Sequence, residues 1–129
     1  MIGIERFVTD FRALGWNVDG PLESGGQSWA IVRGFHVPAG PFSGKMIDVA
    51  IPAPADFPAT PPGGLYVSPL LVPSSDMGRL NVHDRAAETA GLPGSWQYWS
   101  RPVPPGTWQP SRAARRLINH WNAVMANAN

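Results

Sequence analysis

Apolar residues recur at helical spacing at the start of the chain: Ile4, Phe7, Val8, Phe11 and Leu14 share one stripe, with Glu5, Arg6, Asp10 and Arg12 off it. The pattern predicts an amphipathic opening helix that stops at Gly15, because glycine ends a helix without a Cβ penalty. A turn-rich stretch through Gly20, Pro21, Gly25 and Gly26 follows. Residues Gln27 to Val37 are then rich in β-branched and aromatic side chains, with Trp29 and Ile31 on one face and Ala30 and Val32 on the other. After the Pro38–Gly44 connection, Ile47, Val49 and Ile51 alternate with Met46, Asp48 and Ala50, which predicts a strand over Lys45 to Ile51.

Prolines from Pro52 to Pro62 forbid both a helix interior and a central strand, so this stretch is a rigid connector into a short strand at Leu65-Tyr66-Val67. From Pro69 to Pro110 periodicity fades into a long irregular loop with one short helix over Asp84 to Ala90 and an aromatic group of Trp96, Tyr98, Trp99 and Trp108. Loops of this length in compact domains are commonly functional. The chain closes on a helix whose face carries Leu117, Ile118, Trp121, Val124 and Met125, with Ser111 placed as its N-cap and Arg112, Arg115 and Arg116 in the first turns. The expected fold is therefore α+β: an N-terminal helix, a four-stranded antiparallel meander, a long loop and a C-terminal helix in one minimal domain over 1–129.

Composition narrows the chemistry. The chain has no cysteine, which excludes disulfides, thiolate metal sites and a thiol nucleophile, and fits a cytoplasmic setting. Ten basic against nine acidic residues leave a net charge of +1, so no global field draws it to nucleic acid or an anionic membrane. No apolar run approaches the roughly 18 residues of a membrane span. His36 and His120 lack further ligands at zinc-site spacing, so they read as structural; neither a metal nor another cofactor is expected.

The run Phe57-Pro58-Ala59-Thr60-Pro61-Pro62, the preceding Trp29-bearing strand and Gly/Pro hairpin, and Trp108-Gln109-Pro110 ahead of the last helix occur in one order. Together they resemble the ubiquitin-conjugating-enzyme (UBC-like) superfamily, across most of the chain. Trp99-Ser100-Arg101 resembles the bacterial members, which occur in operons with a ubiquitin-like protein, an activating enzyme and an isopeptidase. The resemblance implies those three as partners. It also implies that the opening helix, with Arg6 and Arg12, meets the activating enzyme. In the superfamily a cysteine stands eight residues before the Trp of Trp-x-Pro, with His-Pro-Asn before it; here that spacing falls on Ser100, and His-Pro-Asn is missing. A second alignment, through Gly78-Arg79-Leu80, puts Asn81 at the cysteine position but needs an insertion, so Ser100 is preferred.

Thioester chemistry is impossible without a thiol; if Ser100 carries a ubiquitin-like C-terminus, the intermediate is an oxyester. Such an ester is less reactive toward amines and leans on positioning and an oxyanion stabiliser. A serine hydroxyl also needs a general base, for which His83 and Asp84 are the candidates. Asn81 could supply an amide donor, and Tyr98 or Arg101 could polarise a carbonyl. The competing reading of Ser100 is a turn residue bonded to backbone beside buried tryptophans. At the level of the whole protein, the alternative is a non-catalytic variant that binds a ubiquitin-like protein or activating enzyme as a scaffold through its sheet face. Trp96, Tyr98, Trp99 and Arg101 are assigned to partner contact; a sugar-binding loop at Trp96–Trp99 is a third reading, open only if those rings are exposed. The Arg112, Arg115 and Arg116 cluster reads as a solvated or protein-facing surface, since cations in a first turn oppose the helix dipole.

Overall fold

The structure, a computed structural model, describes residues 1–128. Helix α1 (Ile4–Ala13) buries Phe7, Val8 and Phe11 and ends as the sequence predicts, with Gly15 at φ 90° and its N–H donating to Arg12 O at 2.9 Å. Strand β1 (Asn17–Ser24) is an addition to the expected elements. Gly20 and Pro21 read as a turn. They instead fall within a register shift between Asp19 and Leu22, and the outermost strand of a sheet needs backbone partners along one side only. Strands β2 (Gln27–His36), β3 (Met46–Ile51) and β4 (Leu65–Ser68) follow as antiparallel neighbours.

The stretch read as an irregular loop with one short helix holds that helix, α3 (Ala86–Thr89), and three elements not foreseen: α2 (Ser74–Leu80), β5 (Val82–His83) and β6 (Gln97–Trp99). β6 pairs with β4 on one side and β5 on the other, so the sheet has six strands in the order β1-β2-β3-β4-β6-β5, every pair antiparallel. The expected strands β2–β4 are thus flanked by β1 on one side and by two short strands on the other. A 3₁₀ turn (Pro110–Arg112) leads into α4 (Ala113–Ala126). Ser111 lies inside that turn and does not cap α4, because Pro110, lacking an N–H, opens the turn one residue before it.

Alternation along the strands divides the core between two faces. Ala30, Val32, Val49, Ile51, Leu65, Val67 and Trp99 point inward against α1 and α4, where Phe11 stacks on Trp121 at 5.5 Å between ring centroids. Trp29, Ile31, Ala50 and Tyr66 point the other way and are covered by Leu92 and Trp96. The covering segment is a strap over residues 84–96, fastened by polar contacts. Ser24 Oγ donates to Glu88 O at 2.7 Å and accepts from Gly91 N–H at 2.9 Å, the Tyr66 hydroxyl donates to the Glu88 carboxylate, and Arg85 lies 3.9 Å over the Tyr98 ring. Burial and the Glu88 contact push the Tyr66 phenol up from its usual range. The proline connector and the Trp-x-Pro segment interlock: Trp108 Nε1 donates to Pro58 O at 2.8 Å, and Phe57 packs against both Phe7 and Trp108. Among the described residues no helix is long and apolar enough to cross a membrane.

Candidate functional site

β5 is the shortest strand of the sheet, and its register fixes the site. Val82 faces Trp99 and His83 faces Tyr98; one step further the Ser100 N–H donates to Asn81 O at 3.3 Å, which sets Asn81 opposite Ser100. The two residues that competing alignments place at the cysteine position therefore form one cross-strand pair. Asn81 ends α2 in the left-handed region (φ 54°, ψ 47°), the one non-glycine residue with positive φ among those described. Asparagine tolerates this conformation better than most residues, so the turn from α2 into β5 can be made without glycine.

Asn81 Oδ1 lies 2.7 Å from His83 Nε2, and both side chains are exposed. The amide oxygen only accepts, so in this contact Nε2–H is the donor. The His83 ring also faces Tyr98, with centroids 6.3 Å apart. Ser100 is half-buried, and its hydroxyl has no hydrogen-bond partner among the described residues. Asp84 lies beyond His83 and accepts the Ala86 N–H at 3.1 Å. Gly64, just before β4, is approached so closely that a Cβ there would stand 2.6 Å from the Tyr98 hydroxyl and 2.7 Å from Trp99 O and would clash with both.

Arg101 closes the site from behind. Its guanidinium donates to Leu80 O, to Asn81 O at 3.3 Å and to Ser100 O at 3.1 Å, tying the end of α2 to the end of β6. Its own carbonyl lies 2.7 Å from His120 Nε2. His120, read from the sequence as structural, is buried, because it falls one turn from Leu117 and Val124 on the face that meets the core. Burial holds the His120 imidazole below its ordinary pKa, with Arg116 adding to the effect and the Arg101 carbonyl partly opposing it. No local sequence signal marks this contact, since it joins α4 to a residue 19 positions away.

The aromatic and basic candidates divide. Trp96 is buried with its indole N–H on Pro93 O at 3.1 Å; Trp99 is fully buried and its N–H has no partner; Tyr98 alone is half-exposed. The rings thus give no exposed stacking platform for sugars. Arg6 is held by both oxygens of Asp10 at 2.9 Å, and Arg12 donates to Val18 O at 2.8 Å. Arg6, Arg112 and Arg115 line one shallow depression between α1 and the start of α4, a convergence of two distant basic segments that periodicity does not reveal. Among the described residues no group of three or more His, Asp or Glu side chains is placed to hold a metal ion.

A family model described as prokaryotic E2 family E matches residues 10–125. No curated protein and no solved structure matches the chain.

Proposed function

The chain belongs to prokaryotic E2 family E, and on that premise we propose that it carries the C-terminus of a ubiquitin-like protein as an oxyester on Ser100, in one minimal UBC-like domain. The family as a whole implies ubiquitin-like and activating-type partners; an isopeptidase from the same operon would reverse the product. The observation that carries this reading is the Asn81–Ser100 cross-strand pair beside exposed His83. That pairing, with His83 bonded to Asn81, is what supports Ser100 as the acceptor.

The reaction begins with an activated thioester of the ubiquitin-like carboxyl on the activating enzyme. Ser100 Oγ adds to the carbonyl carbon, forming the C–O bond as the C–S bond breaks. The serine proton passes to His83 Nδ1 and then to the departing thiolate. Asn81, by accepting from Nε2–H, holds the imidazole in the tautomer that has Nδ1 free. A later amine displaces Ser100 and takes the acyl group as an amide.

One observation favours the second reading, a non-catalytic adaptor for the ubiquitin-like protein or the activating enzyme: the Ser100 hydroxyl is not bonded to His83 or Asp84, whose recorded bonds go to Asn81 and Ala86. Such an adaptor would not dock through the middle of its outer sheet face, which the strap covers. Incubation with ATP, the ubiquitin-like protein and its activating enzyme, followed by intact mass, separates the two. An adduct that resists thiol reductant, yields to hydroxylamine and vanishes in Ser100→Ala supports the oxyester. Absence of an adduct with binding retained leaves the adaptor.

A further inference from the structure

A cavity of about 680 Å³ lies between α2, α3 and the 91–97 segment, open to solvent along one side. Its volume is within the range of about 300–1,000 Å³ typical of ligand sites. The inner wall is apolar and buried, formed by Val72, Leu92 and Trp96, while Leu70 at the mouth is one of the few large hydrophobic side chains left 55% exposed. The polar groups of that wall are already committed. Trp96 Nε1 donates to Pro93 O, and the Gln97 amide bonds both backbone groups of Val72, at 3.2 and 2.6 Å. They fix the shape of the cavity without offering a donor to an anion.

Only one lining residue ionises, Asp84. It accepts the Ala86 N–H and has no cationic partner among the described residues; Arg85, beside it in sequence, pairs with Glu88. A carboxylate beside an apolar trough that contains no cation selects a ligand with an apolar body and a positive charge next to it. The open side admits side chains from a passing backbone. We infer that this cavity docks a protein partner's peptide segment in which an apolar side chain stands beside lysine or arginine, the apolar group entering against Leu92 and Trp96 and the cation meeting Asp84. Ser100 and His83 are not among the residues that line it, and docking there requires no covalent step.

The test titrates the ¹⁵N-labelled full chain with acetyl-Gly-Leu-Lys-Gly-amide, with its Leu-Glu counterpart and with its Ser-Lys counterpart, following the Trp96 indole and the Ala90 and Leu92 amides. The Leu-Lys peptide should give saturable shifts at those groups, about fivefold tighter than Leu-Glu, because one exposed charge is attracted in the first and repelled in the second. Asp84→Asn, which keeps the Oδ1 acceptor for Ala86, should bring that ratio close to one. Ala90→Trp, which fills the mouth, should abolish the shifts. The inference is overturned if millimolar Leu-Lys peptide leaves these groups unmoved, if Ser-Lys binds as well as Leu-Lys, or if Leu-Glu binds the native chain as well as Leu-Lys does.

Discussion

His120 enters the fold as a neutral donor to the Arg101 carbonyl, and that protonation state carries a pH signature. In the unfolded chain its imidazole titrates near its ordinary value of about 6.5; in the folded chain burial and Arg116 set it lower. As pH falls the unfolded state binds the proton first. The stabilisation is therefore complete above about pH 6.5 and is lost below it, toward the depressed native value. Urea midpoints measured at about pH 7.5 and 5.5 should fall on acidification, and fall less in His120→Gln, whose amide still donates to Arg101 O. Equal falls in both proteins would remove His120 from the account.

At the scale of elements, the strap depends on Ser24, a buried hydroxyl that donates to Glu88 and accepts from Gly91. Ser24→Ala leaves two groups in α3 and its exit without that partner, at about 1–3 kcal/mol. Hydrogen exchange should quicken at Gly91 and Leu92 while amides of α1 and α4 keep their protection; uniform quickening would make the strap inseparable from the main core. Elements whose register is local were legible in the sequence. The Phe7–Phe11 and Leu117–Val124 stripes follow from helical spacing alone, and β3 from strict alternation. β1 escaped because Gly20 and Pro21 carry turn chemistry that only pairing with β2 overrides. Strands β5 and β6 have two and three residues and exist through partners far away in the chain, so no window of sequence contains their cause. At the candidate site, the spacing to Trp108 marked Ser100 and the Gly78-Arg79-Leu80 pattern marked Asn81; their pairing is long-range, and only the folded chain brings the two positions together.

For the molecule as a whole, one sheet separates two unequal cores. The inner one joins α1, α4 and the proline connector around Trp121 and Phe57, while the outer one rests on the strap. Trp121→Ala should cost about 3–5 kcal/mol of global stability, read from urea unfolding. Leu92→Ala removes a smaller group from a layer that can open alone, so it should raise strap exchange more than it lowers the unfolding midpoint. If both substitutions shift the midpoint alike, the two layers unfold as a single unit. The boundaries of the sheet have a consequence of their own. On one side the outermost strand is broken in register and contains Pro21, which has no N–H to give; on the other, β5 ends after two residues. Neither flank presents an unbroken ladder of free amides and carbonyls, so another polypeptide cannot readily extend the sheet, whether a second copy in a fibril or a partner's tail laid down as a seventh strand. Whatever this protein recognises, it must read mainly through side chains.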